Sequence, residues 1–384
     1  KIGREGLKRR LANIEGVYAP ELYRIEYFPQ GEISLFAPVD KGVPARVRRR
    51  VAPDLDRAFF PEQWLVPYIR LVHDRLILEI MRGCPHSCRF CQARVVYRPW
   101  RRRSAERIIG LAKDLLPASG YGEISLLGLS CGDHPQLSQI ISRIITLYRD
   151  KGINLSLPSL RIRDYLGDIP SLLGQMKKTG LTFAPEAASG RLRKIINKEM
   201  DTQQLFDVVA KAYRVGYRHI KLYFMIGLPG EIAQDLREIA DMAVSLAEMR
   251  RRIDGRPGRV TLSISAFSPK PHTEFERLAM DDIETLARKQ KYIRSCFRGR
   301  RRGIKIDFSD AHTAFLETVL SRADRRVCGV IEEAFRLRAG RNFGLWLRAF
   351  EARGVNPYFY VNREFSRGEI LPWGHIDVGK KNIA

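Results

Sequence analysis

The sequence predicts an α/β fold built from parallel βαβ units. Two observations carry this prediction. From about residue 74 to 308, short apolar runs alternate with amphipathic stretches, and loops separate them in the rhythm of a parallel sheet with crossover helices. The runs are LILEIM (76–81), EISLLG (123–128), INLSLP (153–158), LTFAP (181–185), HIKLYFMI (219–226), VTLSISAF (260–267) and a weaker seventh candidate, IKIDF (304–308). Between two of them, TQQLFDVVAKAYRVG (202–216) places Leu205, Val208, Val209, Ala212 and Tyr213 on one helical face, and Gly216 supplies a stop. Six or seven strands of this kind form either an open doubly wound sheet or a barrel, and their spacing alone does not decide. The glycine-rich turn of a dinucleotide fold is absent after the first run, where cysteines stand instead.

The flanks read differently. Residues 1–73 hold short β-like pieces, ELYRIEYFP and GEISLFAP, and then FPEQWLVPYIRLVHDR, which leads into the first strand. Residues 309–384 read as two or three helices followed by an extended tail, YFYVNREFSRGEILPWGHIDVG. The expected organisation is therefore an N-terminal extension (1–73), a core (74–308) and a C-terminal helical extension with tail (309–384). A chain of 384 residues has room for one large α/β domain with such appendages.

Hydrophobic residues make up 45% and charged residues 29%, and no segment approaches the roughly 18 uninterrupted apolar residues of a membrane span. The opening KIGREGLKRR has neither an initiator Met nor the apolar centre of a signal peptide, so a later part of a longer polypeptide is expected. Six scattered cysteines suggest reduced thiols and a cytoplasmic location. The net charge of +24 gathers in RVRRR (46–50), RPWRRR (98–103), RRR (250–252) and RGRRR (298–302). Such clusters suit phosphate backbones. They read equally as solvated helix ends and loops, and no nucleic-acid module accompanies them, so RNA stands as a hypothesis about a partner or substrate.

The stretch EIMRGCPHSCRFCQAR (79–94) sets Cys84, Cys88 and Cys91 within eight positions. A zinc site could add His86, but structural zinc sites usually draw on a second ligand pair, and the sequence offers none. Disulfides would leave an odd thiol, and a redox C-x-x-C needs no third cysteine upstream. An iron–sulfur cubane needs one ligand per iron, so C-x3-C-x2-C leaves one iron without a protein thiolate. That iron is open to chemistry, as the fourth position of catalytic zinc is.

The spacing, with Phe90 immediately before the third cysteine, resembles the signature of the radical S-adenosylmethionine (radical SAM) enzymes. The segment VPYIRLVHDRLILEIMRGCPHSCRFCQARVVYRPWRRRS (66–104), together with LPWGHIDVG (371–379), is similar to a subfamily often encoded with an N-terminal cobalamin-binding-like domain, which these residues do not contain. The resemblance runs from about residue 15 to the C-terminus. It implies a partial (β/α)6 barrel, TIM-barrel-like, with a [4Fe-4S] cluster on Cys84, Cys88 and Cys91 and S-adenosylmethionine on the open iron.

In such barrels the site lies at the C-terminal ends of the strands. After the cysteines these ends carry LSCGD (129–133), SLR (159–161), PEAASG (185–190), GLPGE (227–231) and SPKPHTEF (268–275). The resemblance assigns the segment after strand two to the cofactor's amino group, commonly through a Gly-Gly-Glu pattern. This chain departs from it, and Ser130 and Asp133 are the substitutes. Ser159 and Arg161 correspond to polar residues that meet the ribose or carboxylate, for which a guanidinium fork is suited. Glu186 stands where many relatives place an acid near the cofactor. Ile226, Gly227 and Pro229 belong to a fifth-strand motif packing beside adenine, where Gly227 and Gly230 let the main chain approach.

Blander readings stand beside these. GLPGE reads also as a strand-to-helix turn, Glu186 and Asp133 as helix caps, Cys131 as a small buried residue, and Lys270 and His272 as parts of a proline-bracketed turn. Cys296 and Cys328 carry no assignment, and Trp373 and His375 read as tail anchors.

The resemblance implies reductive cleavage of S-adenosylmethionine to a 5'-deoxyadenosyl radical that modifies an unidentified substrate, in a transferase or oxidoreductase reaction fed by a reductant such as ferredoxin or flavodoxin. Association with a cobalamin-type domain would favour methylation, and cobalamin is a candidate cofactor that these residues do not themselves support. One alternative is an RNA-modifying radical SAM enzyme. Methylthio-transferring relatives, however, carry an extra cluster motif upstream, whereas residues 1–73 contain no cysteine. The other is a non-catalytic, metal-stabilised RNA-binding protein.

Overall fold

The computed structural model describes residues 3–69, 71–156, 180–300 and 302–379. Near the N-terminus, β1 (Tyr23–Tyr27) and β2 (Ile33–Pro38) form an antiparallel hairpin in which Tyr23 faces Pro38, and β3 (Val47–Arg48) follows. The core begins with β4 (Leu76–Glu79). Next come the short β5 (Met81–Arg82) and β6 (Arg101–Arg102), which pair antiparallel with each other. Parallel strands then recur as β7 (Glu123–Leu127), β8 (Asn154–Ser156), β9 (Leu181–Glu186), β10 (His219–Ile226), β11 (Arg259–Ala266) and β12 (Ile304–Phe308).

Strands β4, β7 and β8 lie side by side, as do β9, β10, β11 and β12, and every neighbouring pair is parallel. Within each of these two groups, spatial order follows chain order with no reversal among the described strands. A doubly wound sheet reverses at a switch point; strands that wind in one direction make a barrel wall. This resolves the choice that strand spacing left open in favour of a partial, TIM-barrel-like barrel, with IKIDF added as a further edge strand. β8 and β9 flank residues 157–179, so Ser159 and Arg161 lie outside the described residues.

Alternation along the strands explains how the wall packs. In β10, Ile220, Leu222, Phe224 and Ile226 are buried and share one core with Leu236, Ile239 and Ala243 of the helix Ala233–Asp254. The intervening Lys221, Tyr223 and Met225 face the other way and are less buried. The helices obey their local signals. Ser104 caps the helix Ala105–Ser119 by accepting from the Arg107 N–H, and Gly120 ends it in the left-handed region. The helix Thr202–Arg214 buries Leu205, Val208, Val209, Ala212 and Tyr213, the face that periodicity selects.

The C-terminal part holds helices Ala311–Arg322, Val327–Arg336 and Phe343–Ala352 and then one further turn, Tyr358–Val361. The extra turn starts where Asn356 accepts from the Tyr358 N–H and Pro357 supplies a helix-compatible φ. The tail then returns to the N-terminal extension: β13 (Ile376–Asp377) pairs parallel with β3, and Ile370 bridges Ile33. Trp373 is buried and donates from Nε1 to Glu276, while His375 stacks on Phe36 with ring centroids 4.2 Å apart. Both residues are tail anchors.

Candidate active site

The cysteine loop spans the gap between β5 and β6, whose pairing closes its base. Gly83 turns the chain into it with φ +86°; a Cβ there would sit 2.6 Å from the Tyr97 carbonyl oxygen and 2.9 Å from that of Pro99. Only glycine fits both the dihedral and the space. Cys88 is buried, and Cys84 and Cys91 are half-buried.

Three other loops fasten this one. From the segment after β9, the Asn197 amide donates to the Ser87 carbonyl and hydroxyl oxygens, both at 2.9 Å, and the Ile196 carbonyl accepts from the Arg89 N–H at 3.0 Å. Beyond β11, Glu274 takes ion pairs from Arg89 at 3.0 Å and Arg94 at 2.8 Å, while the Pro271 carbonyl accepts from Gln92. After β7, the Asp133 carboxylate lies 2.5 Å from His86 Nε2. Phe90 joins a small apolar cluster with Ala187, Leu228, Phe267 and Phe275, which come from the ends of β9, β10 and β11. The aromatic before the third cysteine is thus the point at which the segments after β9, β10 and β11 meet the cysteine loop.

Individual residues sharpen the picture. Ser130 is buried, and Asp133 belongs to a short 3-10 turn, Cys131–Asp133. The helix that follows is preceded by Gln136 and has no side-chain cap, so Asp133 does not cap it. His134 is buried and neutral in character: burial lowers its pKa, Nε2 bonds the Arg103 carbonyl and Nδ1 accepts from the Gln136 N–H. Cys131 is fully buried.

Glu186 ends β9 with φ +66°, a conformation that non-glycine residues seldom adopt. A register shift in the pairing with β10, between Leu222 and Phe224, produces it. Burial pushes the Glu186 carboxyl up, only partly offset by Lys198 at 3.6 Å. Ser189, not Glu186, caps the next helix. Strained dihedrals gather at functional sites, and His272 after β11 has φ +65° as well. Its N–H donates to Glu276, and Lys270 pairs with Glu317 at 2.5 Å.

At the end of β10, Ile226 is buried and Gly227 has φ +82°. The Gly227 N–H donates to Glu231, whose side chain is 2% exposed; Lys289 reaches both Glu231 and Asp281 at 2.7 Å. Burial works to lower the Lys289 pKa, but the two carboxylates outweigh it and hold the ammonium charged. GLPGE is therefore a turn braced by a buried ionic network. A polar cavity of about 480 Å³ lies between Phe36 and Arg46 of the extension, His272 and Glu276 after β11, and Trp373 and His375 of the tail; among the described residues, the segment after β11 is the one rim loop that lines it.

Sequence reasoning did not foresee Asn197, Glu274, Lys198 or the Lys289–Asp281 pair. Asn197 and Glu274 act across more than a hundred positions, and the pairings of Lys198 with Glu186 and of Lys289 with Asp281 follow no helical or strand spacing.

Among the described residues no three His, Cys, Asp or Glu side chains converge to hold a single ion. A tetrahedral zinc site would need sulfurs roughly 3.8 Å apart. A cubane asks for one thiolate at each of three corners, and Cys84, Cys88 and Cys91 of the braced loop are the residues that would supply them.

The cysteine loop and the strands up to β10 are the part of the chain that a family model covers. Residues 78–243 match the Radical SAM superfamily model, a superfamily whose members use a [4Fe-4S] cluster and S-adenosylmethionine. An uncharacterized protein of Methanocaldococcus jannaschii is 29% identical over 287 residues, 73% of this chain and 60% of that protein. A tRNA-2-methylthio-N(6)-dimethylallyladenosine synthase of Desulforamulus reducens is 26% identical over 173 residues, 43% of this chain and 38% of the synthase. The chain thus spans less than two thirds of the length of either curated relative. Among solved structures, it is similar to a radical S-adenosylmethionine methyltransferase of Kitasatospora setae with cobalamin and a [4Fe-4S] cluster bound. The TM-score is 0.43 at 12% identity, covering 53% of this chain and 36% of the methyltransferase. No helix among the described residues is long and apolar enough to cross a membrane.

Proposed function

We propose that this protein is a radical SAM enzyme in which Cys84, Cys88 and Cys91 each ligate one iron of a [4Fe-4S] cluster, leaving one iron for S-adenosylmethionine. The observation that carries the reading is the convergence on one cysteine loop of the segments after β9, β10 and β11, which meet at Phe90, and of the segment after β7, which reaches it through Asp133 and His86. When bound, the cluster would supply the one electron that breaks the sulfonium's bond to the 5' carbon, releasing methionine and leaving a 5'-deoxyadenosyl radical able to take hydrogen from a substrate carbon. A reductant such as ferredoxin or flavodoxin feeds that electron.

The chain's own residues bind, orient and exclude water. Ser130, buried after β7, is the proposed acceptor for the cofactor's amino group. Glu186, held in a strained conformation, presents an acid nearby, and the Ile226–Pro229 turn offers backbone to adenine. Ser159 and Arg161 complete the set as the expected partners of ribose and carboxylate. The cavity walled by the extension, the β11 loop and the tail is our candidate for the substrate, on the ground that the loop carrying Glu274, which pairs with Arg89 and Arg94 of the cysteine loop, also lines it through His272 and Glu276.

Anaerobically reconstituted protein should hold about four irons per chain and, once reduced, convert S-adenosylmethionine to 5'-deoxyadenosine. Cys88→Ala should lose cluster and cleavage together. One zinc per chain without cleavage would overturn the reading in favour of a metal-stabilised binder.

The net charge of +24 and the similarity to a tRNA-modifying synthase favour a second reading, with RNA as substrate. Several basic residues are already committed inside the fold: Arg101 donates to the Ala52 and Pro99 carbonyls, and Arg103 to that of Glu79. Phosphate contacts would therefore fall to exposed Arg48, Arg50, Arg298 and Arg302. Each one lost should lower the salt slope of tRNA binding by about 0.7 to 0.9; binding that ignores salt would exclude this reading.

A further inference from the structure

The two halves of the cysteine loop are held differently. Ser87 to Arg94 is tied by Asn197, the Ile196 carbonyl and Glu274. Upstream, the arc from Cys84 to Cys88 carries one long polar side chain, His86, and its Nε2 lies 2.5 Å from Asp133 Oδ2. The two side chains are 17% and 4% exposed, so the contact is largely shielded from water, where a hydrogen bond to a charged acceptor is strongest and most directional. Asp133 is itself fixed, since its N–H donates to the Ser130 carbonyl within the turn that follows β7. A displacement of that turn is therefore passed to the cysteine arc, and the reverse.

We propose that His86 is a positioning residue for the metal centre: it locks the Cys84–Cys88 arc to the β7 turn, and Asp133 acts on the cofactor site through His86 rather than by touching S-adenosylmethionine. This rests on the radical SAM reading. The three thiolates suffice to assemble a cluster, while the His86–Asp133 bond sets where its open corner points relative to Ser130. The pair thereby couples the metal loop to the strand end that faces the cofactor's amino group. It also explains why a carboxylate so little exposed stands in LSCGDH.

The test compares reconstituted wild-type protein with His86→Ala, His86→Gln, Asp133→Asn and the His86→Ala/Asp133→Asn double variant. Iron content, the dissociation constant for S-adenosylmethionine and the change in the reduced cluster's electron paramagnetic resonance spectrum on adding it are measured for each. All variants should keep wild-type iron. His86→Ala and Asp133→Asn should each weaken cofactor binding about tenfold and blunt the spectral change. The double variant should be no worse than either single one, because a bond is lost only once. His86→Gln, which returns a donor near Nε2, should recover part of the affinity.

Wild-type affinity in His86→Ala, multiplicative losses in the double variant, or a loss confined to Asp133→Asn would overturn the proposal; the last would mean that Asp133 meets the cofactor directly. Loss of iron from His86→Ala and His86→Gln alike would overturn it too, by making His86 a requirement for assembly. A wild-type protein without iron would instead sink the radical SAM reading and this proposal with it.

Discussion

At the scale of single residues, the site depends on a few positions where backbone geometry is fixed by what surrounds it. Gly83 is the plainest case. Its left-handed φ and the carbonyl oxygens of Tyr97 and Pro99 leave no room for a side chain, and both obstacles are main chain. Gly83→Ala should cost at least about 2 kcal/mol, read as a lower denaturant midpoint, and should more than halve iron loading because the base of the loop is forced open. Unchanged stability would mean that the turn is not closed as described. The cysteines themselves were legible because their chemistry needs a fixed local spacing. The bonds that brace them were not: His86 and Asp133 are 47 positions apart, and Ser87 and Asn197 are 110 apart. Glu186 was legible as an acid at a strand end, but its strained φ follows from a register shift with β10 that no pattern in LTFAP announces.

At the scale of elements, periodicity located the seven core strands and the buried face of the helix Thr202–Arg214, because burial imposes a period of two or of 3.6 residues. The C-terminal part was less legible. Its final turn depends on an Asn-Pro start, and the tail finds its place only by pairing with β3. That pairing has a pH signature. Burial lowers the His375 pKa from 6.5 to about 4, with repulsion from Arg325 and His272 adding to it. A histidine whose folded pKa is depressed stays neutral in the fold while the unfolded chain takes up a proton. The fold therefore loses stability as pH falls from 6.5 towards 4, by at most about 3 kcal/mol, and by less where solvent reaches the ring. Above pH 6.5 the contribution is complete. His375→Asn should flatten this acid limb in chemical denaturation. Parallel pH profiles for the two proteins would show that the ring is not buried against Phe36.

At the scale of the whole molecule, two runs of parallel strands, each in chain order, fit a barrel wall, and the described segments 129–133, 187–190, 227–231 and 268–275 follow the C-terminal ends of their strands. The sequence left sheet and barrel undecided because spacing carries no information on which strand pairs with which. The spatial order decided it. The N-terminal extension and the tail, joined through β3 and β13, wall a cavity together with residues that follow β11. The central claim is that three thiolates hold a cubane and leave one corner for the cofactor. Mössbauer spectroscopy of the iron-reconstituted protein, with and without S-adenosylmethionine, tests it most directly. The account predicts that about a quarter of the iron signal, one distinct site, shifts when the cofactor is added, while the remainder stays unchanged. A spectrum in which no site responds, or a protein that takes up zinc and no iron, would contradict it.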